Sequence, residues 1–363
     1  MGYGIPAHLV RLRLLPLLNL CSLSVGHGPA DRSPLPDGRV TQVYITIDTE
    51  YSAGMVARLG GDCRAENFRR SIACATPEGE VGVRYQLDTF DRFGLKAVFF
   101  VDPMPALLWG TGAIGDIVEP ILARGHDVQL HLHTEWLDLA GPANPLGRRI
   151  GRNIKDFPFD DQCLLIDHAR ATLVAAGAAP PVAFRAGNYG ANDDTLRALA
   201  ALGLAYDTSH VPAVSGSDCA ISLGPDDRQP VSHCGVTEVP VGAIAARGGG
   251  LRHAQLTAVT SREMLAAIGH AGSAGIDSFS MVSHSFELLS RDRRRINRIL
   301  VRRFERLCAG LAAMEGISTA TYAQDPPRAA GAHGMQPVLP HSAMRTGLRV
   351  MEQAVANLLY GRR

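Results

Sequence analysis

A chain of 363 residues, 46% hydrophobic and 20% charged, is long enough to bury one large core, and the expected organisation is one α/β domain with extensions at its ends. The formal charge of +1, with no basic block, argues against nucleic acid as a partner. Seven scattered cysteines without a CxxC pair argue against a zinc finger and favour a reducing compartment, although Cys63/Cys74 or Cys219/Cys234 would be placed to pair in an exported protein.

Residues 1–39 read as leader and linker. Arg11 and Arg13 precede an apolar run over 14–25 that is interrupted by Pro16 and Asn19, the outline of a signal peptide but too short to span a membrane. No A-x-A site follows, and Cys21 lacks the small residue that lipidation wants before it. The expectation is a disordered or dispensable leader on a cytoplasmic protein, with export through a weak signal as the alternative.

From residue 40 the pattern alternates strand and helix. Strands are expected over 43–47, 95–101, 128–133, 182–184, 204–206, 236–241, 278–283 and 317–321. Helices are expected over 80–93, with Val83, Leu87 and Phe90 on one face, and over 114–124, 160–176, 193–202, 261–271 and 291–314. Asn192 reads as an N-cap, and Gly94 and Gly203 as helix ends. Such alternation implies parallel βα units with the helices outside. Over 325–340 the chain reads as a Pro-, Gly- and Ala-rich tether. Residues 344–359 then read as an amphipathic helix, with Met344, Leu348, Met351, Val355, Leu358 and Leu359 on the apolar side and Arg345 and Arg349 beside them. That helix is expected to pack on the barrel or on another subunit of a homo-oligomer, with a membrane surface as the lesser alternative. The arginine-rich run over 291–303 is read as a solvated helix face, which could also meet an anionic glycan or lipid carrier.

In parallel βα folds, active residues collect where strands end. If 128–133 is a strand, His131 and His133 share a face, and two neutral imidazoles at one strand end suit a divalent metal, with Glu135 a further oxygen in reach. Polar clusters end the other strands too: Asp48 and Glu50, Arg185 to Gly190, Asp207 and Ser209, and His284 with Ser285. Each has an ordinary reading as well: Asp48 and Glu50 as a turn or N-cap, Arg185 as a structural ion-pair partner, Asp207 as an Asx-turn residue, Tyr189 as packing. His126 and His210 read as structural.

Over residues 40–322 these clusters, in this order, resemble the polysaccharide deacetylase superfamily, carbohydrate esterase family 4 and its relatives. The resemblance implies a distorted (β/α)7-type barrel and metal-assisted removal of acetyl groups from N-acetylated sugars. Thr46-Ile47-Asp48-Thr49-Glu50 is similar to the family's TFDDG motif. Asp48 would be the general base, Thr49 stands where the metal-binding aspartate usually is, and Glu50 would supply that acid instead. Gly125-His126-Asp127 followed by His131 resembles the second motif, in which a histidine four residues later completes the metal site. Glu135 holds that place, so His133 or Glu135 would be the third ligand. Phe184-Arg185 through Tyr189-Gly190 resembles the third motif without its proline. Arg185 would hold the base, while Tyr189 would shape the groove and lend a backbone N–H to the oxyanion. Asp207-Thr208-Ser209 is similar to D-x-S, with Asp207 orienting His284 or Arg185, and Met281-Val282-Ser283-His284 matches the fifth motif, with His284 the general acid.

The chemistry asks for the same parts: Glu50, His131 and His133 would leave a position open for water, Asp48 would take a proton, and His284 would give one to the amine. Zinc is the expected metal, with cobalt, nickel or iron as alternatives. The expected function is thus a metal-dependent hydrolase of an N-acetylated sugar or glycan. The alternatives are a metal-dependent amidase with a non-sugar substrate, and a noncatalytic glycan-binding or assembly protein whose metal site drifted, as Thr49 and Glu135 suggest.

Overall fold

The computed structural model describes residues 40–214, 218–330 and 337–361, so the expected leader over 1–39 lies outside the described residues. The parallel strands of the main sheet are β1 Thr41–Thr49, β2 Val98–Val101, β3 Asp127–Leu132, β4 Ala183–Ala186, β5 Tyr206–Asp207, β6 Val236–Glu238, β7 Ser278–His284 and β8 Ile317–Thr319. Their order is β7-β1-β2-β3-β4-β5-β6, with a short antiparallel strand, Val231–His233, beyond β6. On the side of β1 away from β7, β2 pairs with its C-terminal half and β8 with its N-terminal half.

The sheet curls until its edges meet through backbone hydrogen bonds. After β6 the chain still follows β5, with Val239 N donating to Asp207 O (2.7 Å) and Val241 N to His210 O (3.0 Å). It then crosses to β7, where Gly242 N donates to Ser280 O at 2.8 Å. Only glycine fits there, because a Cβ on residue 242 would lie 2.7 Å from the Phe279 ring and 2.8 Å from Ser280 O. Val282 N donates to Ala254 O (2.9 Å) and Leu256 N to Val282 O (3.2 Å), closing the far rim. The result is a distorted seven-stranded (β/α) barrel, the architecture expected from the sequence.

Alternation along the strands sorts the two faces. Val43, Ile45 and Ile47 of β1, with Val128, Leu130 and Leu132 of β3, pack outward under the helices. Tyr44, Val98, Phe100, Ala183, Val239 and Tyr322 form a separate cluster. The even positions of β1 therefore point inward, which sends Asp48 into the barrel mouth.

The outer helices are α1 Val83–Phe93, α2 Thr111–Leu122, α3 Phe159–Ala175, α4 Asp193–Ala201, α5 Ser261–Ser273 and α6 Arg298–Ala312, with α7 Ala343–Tyr360 near the C-terminus. α1 begins later than expected because Gly79–Glu80 is taken up by a two-residue strand pairing with Ala75–Thr76. Asn192 caps α4 as expected, accepting from Thr195 N at 2.9 Å, and Thr260 caps α5 with Glu263 in a reciprocal capping box. The helix expected over 291–314 starts only at Arg298, capped by Asn297, because residues 289–296 fold into a tight hairpin.

α7 packs on the barrel, one of the two places expected for it. Its apolar side is not the docking side: Met344 is 76% exposed, Met351 65% and Leu358 78%. The helix packs instead through Arg349, whose Nε lies 3.0 Å from Glu263 Oε1, through Glu352, 2.5 Å from Arg303 Nη2, and through buried Ala356. Glu263 and Arg303 are buried charges on α5 and α6, and a buried charge is costly without a partner, so the charged side of α7 faces the barrel. Among the described residues no helix is long and apolar enough to cross a membrane.

Candidate active site

Parallel register assembles the site. Asp48 lies opposite His284 in the β1–β7 pairing, and His131 opposite Arg185 in the β3–β4 pairing. One step past each strand, Glu50 follows Asp48 and His133 follows His131, so the expected residues meet at the C-terminal rim of the barrel.

Three donor atoms converge there. Glu50 Oε2 lies 2.5 Å from His133 Nε2 and 3.3 Å from His131 Nε2. The other ring nitrogens fix the tautomers. His131 Nδ1 is 2.8 Å from the carbonyl of Arg185, which can only accept, and His133 Nδ1 is 2.9 Å from Glu135 Oε2, itself held by Asn188 Nδ2 at 3.0 Å from Oε1. Both Nε2 atoms therefore face Glu50, the orientation that metal-binding histidines take from such partners. Of the two candidates for third ligand, His133 is in the convergent set, and Glu135 stands behind it. Glu50 Oε2 is buried and has no hydrogen bond of proper geometry. Burial opposes its charge, but His133 and His131 outweigh that and hold it well below the usual carboxylate range. Burial likewise opposes charge on His133, and Glu50 and Glu135 hold it well above the usual imidazole range. The cluster calls for a positive charge at its centre, and one carboxylate with two oriented imidazoles fits a divalent ion.

Beside this cluster stand Asp48 and His284, each held by a charged partner. Arg185 is fully buried, donates from Nη1 to Asp48 Oδ1 at 2.5 Å, and lies 4.4 Å over the Phe100 ring. Its Nε and Nη2 donate to the carbonyl and hydroxyl of Thr208, each at 3.2 Å. Burial pushes the Asp48 carboxyl up, but Arg185, then His131 and His284, outweigh it and keep it below its ordinary value. His284 Nε2 stands 3.8 Å from Asp48 Oδ2, and its Nδ1 2.8 Å from Glu287 Oε1. Burial works against a proton on that ring, yet Glu287, with Asp48 and Glu50, pushes its pKa up to about 9.

Glu287, and not Asp207, is the carboxylate within hydrogen-bond distance of His284. Asp207 is buried but accepts from Ser209 N and Oγ, both at 2.9 Å, and neighbours Glu238, whose carboxyl is pushed far up by burial and by Asp207. Among the described hydrogen bonds none joins Asp207 to His284 or Arg185. Its place is in the wall, where Ser209 Oγ also accepts from Ala186 N at 3.0 Å. Tyr189 borders the mouth beside Val211, Val241 and Val282, in a turn where Asn188 and Tyr189 take φ of +55° and +57°, strained for side-chain-bearing residues. That turn follows Gly187, where a Cβ would come within 2.7 Å of His133 Nδ1.

Two site residues escaped the sequence reading. Glu287 lies three residues past His284, in a turn. Asp102 follows β2; its Oδ1 accepts from Met104 N at 3.1 Å, its buried Oδ2 has no partner among the described residues, and burial, opposed by His133 and His131, pushes its pKa up to about 6. The only signal for it was an acid and a proline closing an otherwise apolar strand. His126, in contrast, is structural as expected, its Nδ1 accepting from Ala97 N at 3.2 Å.

No protein-family model matches the chain, and no curated protein matches it in sequence. Among solved structures, it is similar to a putative polysaccharide deacetylase from Mycobacterium smegmatis, at 19% identity over 82% of this chain and 92% of that one, with a TM-score of 0.50. A family 4 carbohydrate esterase from Streptomyces lividans in complex with acetate aligns at 11% identity over 83% and 98% of the two chains, TM-score 0.41. An allantoinase aligns at 12% over 84% and 97%, TM-score 0.48. With its curled parallel sheet, enclosing helices and closed edges, the chain has the distorted (β/α) barrel fold of polysaccharide deacetylases.

Proposed function

We propose that the chain is a divergent member of the polysaccharide deacetylase superfamily that hydrolyses the acetamide of an N-acetylated sugar or glycan. One observation above all supports this reading. Glu50 and two tautomer-fixed imidazoles converge on a point, and Asp48, held by Arg185, stands beside them 3.8 Å from His284, held by Glu287.

Glu50, His131 and His133 would hold a divalent ion, zinc before cobalt, nickel or iron, and such an ion supplies Lewis acidity to the acyl carbonyl and brings the pKa of water towards about 7. Asp48, ionised beside Arg185, accepts the proton of the attacking water. The Tyr189 backbone N–H is the candidate donor to the developing oxyanion. As the C–N bond breaks, His284 gives its proton to the departing amine, leaving acetate and a free amino sugar.

The test pairs elemental analysis with acetate release from N-acetylated chitooligosaccharides, for wild type and His131→Ala. About one divalent ion per chain, lost in the variant together with acetate release, supports the reading. If wild type binds no metal after reconstitution and frees no acetate, the site is not a hydrolase.

A further inference from the structure

Arg293, at the mouth of the barrel, is an arginine that the proposed chemistry does not use. The hairpin before α6 is closed by Ser290 N donating to Arg295 O at 2.8 Å, and braced by Ser290 Oγ and Arg294 N, which both donate to Asp292 Oδ1, at 2.6 and 3.2 Å. At its tip Arg293 takes a left-handed φ of +56°. Its guanidinium lies 3.7 Å over the ring of Phe286, whose centroid is 5.2 Å from that of His284.

Arg293 lines two adjoining cavities. One, of about 230 Å³, also holds Glu50, His133 and Asn188; the other, of about 460 Å³, runs from His284 past Asn297 to Asn357 and Tyr360 of α7. Of the arginines nearby, Arg295 donates to Leu359 O, Arg298 pairs with Glu78 and Arg303 with Glu352, while Arg291, which also lines the larger cavity, is exposed. Among the described residues, no hydrogen bond or ion pair reaches the Arg293 guanidinium. Seated over that ring and without a described hydrogen-bond partner, the guanidinium keeps N–H groups for a carboxylate or phosphate, which an arginine takes through two parallel hydrogen bonds.

We propose that Arg293 binds an anionic group of the substrate, so that the acetamido compound hydrolysed at this site carries a carboxylate or a phosphate. This rests on the deacetylase reading for the word substrate, but the anion site is tested by binding alone. The remainder of the molecule extends along the cleft between the hairpin and α7.

Calorimetry on the full chain is the experiment, with N-acetylglucosamine, its 1- and 6-phosphates, and its uronic acid as probes. Wild type binds at least one charged sugar about tenfold or more tightly than the neutral parent, and the charged sugar preferred tells phosphate from carboxylate. In Arg293→Gln that preference falls to about twofold or less. Arg293→Lys, which keeps the charge but not the fork, falls between, and it serves alone if the glutamine variant has a lowered denaturation midpoint. Equal binding of charged and neutral sugars by wild type overturns the proposal. So does a preference that survives in Arg293→Gln, or a glutamine variant that changes only zinc affinity, which would make Arg293 a counter-ion of Glu50. Acetate release is scored separately: its absence counts against the hydrolase reading and leaves the binding preference to be judged by itself.

Discussion

Arg185 reaches across the barrel interior from β4 to place Nη1 2.5 Å from Asp48 Oδ1 on β1, and both side chains are withdrawn from water, at 0% and 4% exposure. The pair holds the Asp48 carboxylate in its charged form and makes it part of the barrel's interior at once. Removing one partner strands the other, which costs about 3–5 kcal/mol for a buried pair. Arg185→Ala is therefore expected to lower unfolding stability in urea by about that amount. Asp48→Asn keeps the shape and an acceptor for Arg185, so it is expected to cost less stability while cutting acetate release about 10²–10⁴-fold. An asparagine variant turning over near the wild-type rate would remove Asp48 from the mechanism.

The 2.8 Å contact between His284 Nδ1 and Glu287 Oε1 predicts a pH dependence. The ring's pKa is about 9 in the fold and about 6.5 unfolded, so it is raised on folding. The stabilisation is fully present below about pH 6.5 and is lost as pH rises through about 9, with a full size on the order of 3 kcal/mol. In the proposed reaction the protonated ring is the form that donates to the leaving amine, so turnover should fall as pH rises through the ring's raised pKa. Glu287→Gln removes the first supporting charge, and its His284 resonance should titrate lower, with the alkaline limb following. If His284 titrates near 6.5 in wild type, or the limb does not move in the variant, Glu287 does not set the acid's pKa.

What the sequence makes legible is what periodicity carries. The alternation of Val43, Ile45 and Ile47 with Tyr44, Thr46 and Asp48 gives β1 its outer and inner faces, and the same spacing of two brings His131 and His133 together. Partners set by turns stay hidden. Glu287 reaches His284 because the chain folds back after β7, and Glu135 sits behind His133 although its place in the sequence suggested a ligand. The start of α6 is obscured because arginines favour helix, while the hairpin over 289–296 depends on side-chain bonds from Ser290 and Asp292 that no propensity reports.

The metal-type cluster separates ligand from support. His131→Ala removes one of three convergent donors and should abolish stoichiometric zinc. Glu135→Gln leaves all three but weakens the partner of His133 Nδ1, and loss of such a partner typically costs about 10–100-fold in metal affinity. Gly187→Ala should also lower metal affinity, since the new methyl would meet His133 Nδ1 at 2.7 Å and Leu132 O at 2.8 Å and so displaces both the ring and the backbone. Competition titration with a chromophoric chelator reads all three. Unchanged affinity in Glu135→Gln would mean that another group orients His133.

The outward apolar side of α7 can be checked against its inward charged side. Met351, 65% exposed, has little contact to lose, so Met351→Gln is expected to change stability by less than about 0.5 kcal/mol. Arg349→Ala leaves Glu263 buried with Thr260 N and Oγ1 as its hydrogen-bond partners among the described residues, at 2.9 and 3.1 Å, and Arg252 as the remaining nearby cation, and should cost about 3 kcal/mol. The opposite ranking in urea unfolding would show that α7 docks through its apolar side, as its sequence pattern suggests. Arg349 is expected to outrank Met351 because hydrophobic periodicity tells which side of a helix is apolar, while the buried charges on α5 and α6 decide which side is needed.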